Sequence, residues 1–346
     1  MRIIIEEYLV DNKKYNYISL FNKSKMEIKL STCGAGIREV RVPNEFGVVK
    51  TVTLTALSDE LYNSSSHGKS IGRTSGRIEN ATFTIDDKTA FLDKNNRGID
   101  NLHGGKSGFH KQNFNFSLEE NQQYTDVVFT YFSPDGEGGY FGNVMVSITY
   151  RVFEEENRFR ITINGKSDCK NILNITNHVY WNLSGDLSEN ILEHEMFLDA
   201  SRRGKLNSRL ILTEIIPVSQ EFDFRNGQKI GTYILSECVQ EHTTGYDHPF
   251  YLDNNNEIAA SLYSEKNNLR LNVKTSYPSI VCYSDNYPFQ NTEILKNVYD
   301  SKYMAICLEC QYSPNGLKIV PEKAGVFNAD EEYNEYIEYE FIIAAK

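Results

Sequence analysis

The sequence predicts an all-β fold, built as one large antiparallel domain over residues 1–346. Apolar and polar residues alternate in many short runs, aromatic residues make up 12% of the chain, and 22 glycines with 8 prolines separate the runs. Such alternation buries one face of a strand, aromatic side chains favour half-buried pleated surfaces, and Gly and Pro mark turns. Because no Pro- or Ser-rich linker interrupts the pattern, we expect a single domain.

The clearest strand pattern occupies residues 144–153, VMVSITYRVF, where the alternation is unbroken. The run at 127–132 comes shortly before it, and the segment SPDGEGGY (133–140) predicts a long hairpin-like connection. After the polar turn at 154–157, the alternation resumes at 159–163. Other runs of the same kind predict strands at 27–30, 51–55, 81–85, 269–275, 279–284, 304–310 and 337–344. Helical patterns are nearly absent, and we expect one short helix or helical turn within 290–304.

The net charge of −11 argues against nucleic acid and anionic membranes as partners, because both require basic patches. The apolar run at 3–5 is followed by two glutamates, so it is too short for a signal peptide or a membrane helix. We therefore expect a cytoplasmic protein with a small-molecule substrate. A monomer and a homodimer are both compatible with the sequence.

The six cysteines are scattered and do not form a disulfide framework. Cys307 and Cys310 form a lone C-x-x-C with no second pair or neighbouring His, and on a strand they point to opposite faces. No G-x-G-x-x-G opens a helix. We expect neither a metal site nor a cofactor.

Two of the seven histidines lie in polar, glycine-rich surroundings. His103 is followed by two glycines, which free space beside the imidazole. His178 shares one strand face with Tyr180, ahead of the only Trp. Each is a candidate for proton transfer, and a hydrogen-bonded structural histidine is the alternative.

Three further segments carry polar groups that suit a binding or catalytic site. Arg73 and Arg77 are held by glycines, including Gly76, and could present guanidinium groups to hydroxyls. Asp247 lies in a turn, where an Asx-turn is the structural alternative. Glu309 stands in an otherwise apolar run, where burial would raise its pKa as a general base requires; a solvent-facing Glu on an edge strand is the alternative.

The order of these motifs is more specific than any one of them. The chain reads GRxxGR, NLHGG, NHxYWNLSG, GYDH and LExQxxPxG, and in this order it resembles the aldose 1-epimerase (galactose mutarotase) family from about Gly34 to the tail. The resemblance implies a large twisted β-sandwich, a galactose mutarotase-like supersandwich, with the site in an open cleft on a sheet. It also implies an isomerase that interconverts the anomers of a free aldose.

The resemblance assigns a role to each candidate. His178 matches the general acid that protonates the ring oxygen, Glu309 matches the general base, and His103 matches a second histidine that polarises the sugar. Arg77 and Asp247 match side chains that bind ring hydroxyls. Breaking the C1–O5 bond requires one proton removed and one delivered, so we expect the acid and the base to face each other across the sugar.

Four positions depart from the family pattern. Gly76 stands at a substrate-binding position where many members carry Asn, which implies that one hydroxyl contact is missing. Phe114 stands where a Trp often follows LHGG, Val281 where some members carry a sugar-contacting Gln, and Phe141 where a loop Pro is found. These departures argue against galactose as the preferred sugar.

Three alternatives remain open at the level of sequence. A hexose 6-phosphate mutarotase would need a basic cluster at the cleft rim, with Arg73 and Arg77 as its start. A non-catalytic sugar-binding protein could use the same fold. A lyase or glycosidase could use Glu309 and Asp247 as paired carboxylates, but the histidine motifs would then have no role.

Overall fold

A computed structural model describes residues 1–54, 58–289, 292–295 and 298–344. The strands, in chain order, are β1 (Arg2–Val10), β2 (Lys13–Phe21), β3 (Glu27–Ser31), β4 (Gly36–Pro43), β5 (Val49–Thr51), β6 (Thr53–Leu54), β7 (Ser70–Ile71), β8 (Arg77–Ile78), β9 (Thr82–Ile85), β10 (Lys88–Phe91), β11 (Asn101–Leu102), β12 (Asn115–Glu120), β13 (Tyr124–Ser133), β14 (Val144–Phe153), β15 (Arg158–Ser167), β16 (Asn171–Ile172), β17 (Thr176–Asn177), β18 (Tyr180–Trp181), β19 (Glu195–Leu198), β20 (Arg202–Leu206), β21 (Leu212–Pro217), β22 (Gln228–Lys229), β23 (Asp247–Tyr251), β24 (Ala260–Ser264), β25 (Leu269–Thr275), β26 (Ser279–Tyr283), β27 (Glu293–Leu295), β28 (Val298–Tyr299), β29 (Cys307–Gln311), β30 (Val326–Phe327) and β31 (Glu332–Ile343).

Helices are few and short among the described residues. The α-helices are α1 (Asp59–Ser64) and α2 (Gly316–Ile319), and the 3₁₀ turns are Glu79–Ala81, Gly105–Ser107, Phe109–Lys111, Glu137–Gly139, Gln220–Phe222, Ile230–Thr232 and Pro321–Lys323. Ser58 caps α1 by accepting a hydrogen bond from the Leu61 backbone N–H. No helix in the described part of the chain has the length and apolar character needed to cross a membrane.

The all-β class and the sandwich are confirmed. A nine-stranded antiparallel sheet has the order β12-β13-β14-β15-β31-β25-β24-β19-β22, and β1 to β5 form a five-stranded sheet in chain order. A second five-stranded sheet, β21-β20-β23-β26-β29, is called the site sheet below. The largest buried cluster joins side chains of the nine-stranded sheet, such as Ile148 and Ile161, to Ile280 and Leu308 of the site sheet. The core therefore lies between these two sheets, which leaves the other face of the site sheet free to form a cavity.

Most predicted strands are confirmed, and five agree with the observed bounds to within one residue, namely 27–30, 81–85, 144–153, 269–275 and 279–284. The strands predicted at 127–132 and 159–163 lie within the longer β13 and β15, and the one at 337–344 overlaps the C-terminal part of β31. The strand predicted at 304–310 begins only at Cys307, as β29. The predicted strand at 51–55 is divided: Thr51 ends β5, Thr53 begins β6, and Thr55 lies outside the described residues. The connection at 133–140 contains the 3₁₀ turn at Glu137–Gly139.

The helix predicted within 290–304 is wrong for the part that the structure describes. There β27 and β28 form an antiparallel pair, with Glu293 opposite Tyr299. Ile294, Val298 and Tyr299 are β-branched or aromatic, and such residues favour strands. Residues 290, 291, 296 and 297 of the predicted segment lie outside the described residues.

Candidate active site

The segment from β17 to β18 runs beside β29, the edge strand of the site sheet, and an isolated bridge joins the two. Trp181 and Ile306 exchange two backbone hydrogen bonds, of 2.9 and 3.0 Å, in an antiparallel bridge. Extending that antiparallel register brings His178 opposite Glu309. The backbone of His178 is held on its other side, where its N–H donates to Lys69 O and its carbonyl accepts from Gly68 N.

Cross-strand pairing arranges the floor of the cavity in rows. Glu309 pairs with Val281, and Val281 pairs with Pro249, so the central row runs from His178 across Glu309 to Val281 and Pro249. A parallel row contains Tyr283 and Asp247 on one side of it, and Gln311 begins a row on the other side. Because neighbouring strands are about 4.8 Å apart, the central row is long enough for a pyranose ring.

The roof of the cavity comes from β8 and β11, which pair Arg77 with Leu102. The His103 N–H donates to Gly76 O over 3.1 Å, and the Gly76 N–H donates to His103 Nδ1 over 3.3 Å. Accepting at Nδ1 leaves the imidazole proton on Nε2, so His103 faces the cavity as a hydrogen-bond donor. Gly76 has φ +69°, which favours glycine, and it holds His103 through its backbone alone.

All six predicted site residues line one cavity of about 240 Å³: Gly76, Arg77, His103, His178, Asp247 and Glu309. Sequence reasoning missed other lining residues, among them Leu206, Leu210, Leu212, Tyr283 and Gln311. The leucines have the pattern of ordinary core residues, and only the fold brings them to the site. Gln311 was visible as the last polar residue of the LExQ motif.

The two proposed proton-transfer groups are direct neighbours. His178 Nε2 lies 3.5 Å from Glu309 Oε1, and their side chains are only 6% and 5% exposed. The His178 ring stacks on Tyr180 at 5.0 Å between centroids. The arrangement differs from the sequence-based expectation, because the pair lies side by side on the floor of the cavity instead of facing each other across it.

Burial shifts the pKa values of this pair in opposite directions. Loss of solvent raises the pKa of Glu309 to about 8, with a further increase from the Asp247 charge that Arg77 opposes. Loss of solvent lowers the pKa of His178 to about 4. Between these values the pair holds one proton, and the directions of the two shifts favour its location on Glu309. The reaction removes one proton from the substrate and supplies another. It therefore needs one group that carries a proton and one that does not.

Arg77 and Asp247 bridge the roof and the floor. Arg77 Nη1 is 3.7 Å from Asp247 Oδ2, which is longer than a hydrogen bond. Burial raises the pKa of Asp247, and the Arg77 charge opposes this shift. The guanidinium and the carboxylate are therefore placed to donate to and accept from a hydroxyl that enters between them.

Arg73 is not part of this site. It is 2% exposed, and its guanidinium donates to Ser133 Oγ and to backbone carbonyls that include Phe141 O and Gly142 O. Arg73 therefore does not begin the basic cluster at the rim that the hexose 6-phosphate alternative would need. Among the described residues that line the cavity, Arg77 is the only Lys or Arg.

The four departures from the family pattern divide into two pairs. Gly76 and Val281 line the cavity. Phe114 is buried in the main core, and Phe141 packs beside Phe83 outside the cavity. Only the first pair can contact a bound sugar directly.

The C-x-x-C cysteines point to opposite faces, as predicted. Cys310 joins the main core, whereas Cys307 joins a cluster around Tyr180. The fold brings Cys307 near His178, which the sequence did not reveal: donor atoms of His178, Cys307 and Glu309 lie within 4.8 Å of one another, close enough to hold a metal ion. Burial raises the pKa of the Cys307 thiol well above its usual range, which disfavours the thiolate that metals bind.

Comparison with known proteins identifies a family model, curated relatives and a crystal structure that are similar to this chain. Residues 16–340 match the family model described as aldose 1-epimerase. The chain is 31% identical to the aldose 1-epimerase of Haemophilus influenzae, covering 96% of this chain and 97% of the relative. It is 29% identical to the aldose 1-epimerase of Escherichia coli K12, covering 96% of each. The crystal structure of galactose 1-epimerase from Lactobacillus acidophilus superposes with a TM-score of 0.87, at 27% identity and 99% coverage of both chains.

Proposed function

The chain belongs to the aldose 1-epimerase family, and we propose that it interconverts the α and β anomers of a free aldose with Glu309 as general base and His178 as general acid. It is thus an isomerase with a small-molecule sugar as substrate. The observation that carries the assignment is the cross-strand pair of His178 and Glu309, buried together in a cavity that Arg77, His103 and Asp247 also line.

The side-by-side geometry suits the reaction. Ring opening takes a proton from O1 and gives one to O5, and both oxygens are bonded to C1. An acid and a base that are themselves neighbours reach both oxygens from one side, with the ring lying along the central row over Val281 and Pro249. After rotation about C1–C2 the two groups exchange roles and close the ring on the other face of the aldehyde.

The proposed roles require a proton shift when the sugar binds. The pKa shifts favour the shared proton on Glu309, so in the proposed mechanism that proton passes to His178, whose Nε2 is 3.5 Å away. The Arg77 charge favours this shift because it stabilises the Glu309 carboxylate. The His103 Nε2–H then supports the charge that develops on the sugar oxygens.

We expect kcat/KM to follow a bell-shaped pH profile with limbs near pH 4 and pH 8. Below the His178 pKa of about 4 both groups carry protons and no base is available. Above the Glu309 pKa of about 8 both have lost their protons and no acid is available. Polarimetric rates from pH 3 to pH 10, corrected for the buffer reaction, measure the profile. A rate that is constant across both limbs would contradict the one-proton pair.

A polarimetric screen of freshly dissolved α-anomers tests the function. We expect the protein to accelerate mutarotation of an unphosphorylated aldose from a panel of glucose, galactose, xylose and arabinose. Glucose 6-phosphate and galactose 6-phosphate belong in the same panel, and a preference for them would favour the phosphosugar alternative. Sugar binding by calorimetry without any acceleration over the buffer would favour a binding protein.

We further propose that residues 1–346 form one domain that works in the cytoplasm as a monomer or homodimer. The main buried cluster supports one domain because it extends from Ile18 to Phe341. The net charge of −11 supports the absence of nucleic acid and membrane partners. Because side chains of the chain supply both proton transfers, the proposed mechanism uses neither a metal nor a cofactor.

A further inference from the structure

Gln311 is a buried amide whose hydrogen-bonding groups are unused. The residue is 0% exposed, and neither Nε2 nor Oε1 has a hydrogen-bond partner among the described residues. Ser279 Oγ donates to its backbone carbonyl over 2.7 Å, so this neighbouring hydroxyl bonds the main chain of Gln311 and not its amide. Buried polar groups are almost always paired, so this amide requires a partner.

The amide borders the cavity next to the proton-transfer pair. Gln311 follows Glu309 by two positions on β29, so both side chains lie on the same face, roughly 6.6 Å apart along the strand. A Cβ built on Gly76 would lie 3.8 Å from Gln311 Nε2, which shows that the amide reaches toward the roof. Gly76 has no side chain that could compete for it.

We propose that Gln311 is a sugar-binding residue, whose Nε2 donates to and whose Oε1 accepts from a hydroxyl of the aldose seated on Glu309. This inference rests on the proposed function. A sugar hydroxyl is both a donor and an acceptor, and an amide is a side chain that can satisfy both of its roles. When C1 of the sugar lies at Glu309, Asp247 is on one side of the central row and Gln311 is on the other. The ring hydroxyls on the second side therefore face the Gln311 amide.

Replacement of Gln311 by Met preserves the length of the side chain and removes both polar groups. We expect the Q311M variant to raise KM and the calorimetric Kd about tenfold while kcat changes little, because the lost contact exists in both ground and transition states. The matched control is Q228M, the same change at a strand residue outside the cavity, which is expected to leave KM and Kd unchanged.

Deoxy sugars identify the partner hydroxyl. Wild type and Q311M are compared with D-glucose, D-galactose and their 2-, 3-, 4- and 6-deoxy analogues. The increase in KM and Kd that the substitution causes should disappear for the analogue that lacks the hydroxyl bound by Gln311, and it should persist for the others. An equal increase in KM and Kd for every sugar, or no increase for any of them, would overturn the inference.

Two readouts keep this test separate from the proposed function. If the wild type binds sugar but does not accelerate mutarotation, the proposed function fails, and Kd still decides the role of Gln311. If the wild type is active and Q311M matches it in KM and Kd, only the Gln311 inference fails. Should Q311M unfold, Q311E keeps the side-chain shape and an acceptor, and the same deoxy series applies.

Discussion

Replacement of Glu309 by Gln is expected to lower kcat by about 10²- to 10⁴-fold, because the amide can neither take the O1 proton nor return it. KM should change little, since the substitution keeps the shape and most hydrogen bonding of the side chain. The high-pH limb of the kcat/KM profile should vanish, because the group that titrates near pH 8 is gone. Polarimetry with the aldose preferred by the wild type measures both effects.

The stability of this variant separates a catalytic role from a structural one. The pKa of Glu309 rises from 4.5 to about 8 on folding, so the folded protein binds an extra proton and its stability falls as pH rises from 4.5 to 8. The E309Q variant has no carboxyl group at this position and so does not lose stability in this way. Its Tm should therefore exceed that of the wild type above pH 8. Full activity in E309Q would end the assignment of Glu309 as base.

A second buried carboxylate provides a matched control. Glu338 is 2% exposed and accepts from Arg158 and Arg160 on the nine-stranded sheet, remote from the cavity lining. The E338Q variant makes the same chemical change and is expected to lower Tm, because it weakens the ion pairs that a buried carboxylate makes with two partly exposed arginines. Its kcat should remain that of the wild type.

The strands were predictable because their signal is local. Alternation over 144–153 depends only on consecutive residues, and β14 occupies those same positions. The segment 290–304 was misread because short runs of mixed composition carry no clear period, and pairing between Glu293 and Tyr299 decided its conformation. Tertiary pairing of this kind has no local signature.

The site residues were predictable only through the order of the family motifs. No sequence pattern indicates that His178 and Glu309 are cross-strand neighbours, because the register between β29 and the segment before Trp181 is set by the fold. For the same reason the expectation that they face each other across the sugar was not met. The sequence marks Gly76 only by the side chain that it lacks, and the structure adds that its backbone orients His103. Such a role depends on φ and on a neighbour distant in sequence.

Replacement of His178 by Ala is expected to lower kcat by about 10²- to 10⁴-fold, because no acid then protonates O5 as the ring opens. The removed ring leaves a space against Tyr180, where the imidazole stacked at 5.0 Å. Added imidazole can occupy that space beside Glu309 and carry the proton in its place. We therefore expect kcat of H178A to rise with imidazole concentration and to saturate, whereas E309Q should not respond.

His194 supplies the control for this rescue. It is also buried, and its Nε2 accepts from the Leu183 backbone N–H over 2.9 Å, but it does not line the cavity. The H194A variant should lose stability while it keeps its kcat and ignores imidazole. If H178A behaves in the same way, His178 serves packing alone and proton delivery to the ring oxygen must come from another group. If imidazole restores the kcat of H178A without raising the Tm of either variant, the missing function is the proton carried by an imidazole at that position, because repair of a packing defect would also raise Tm.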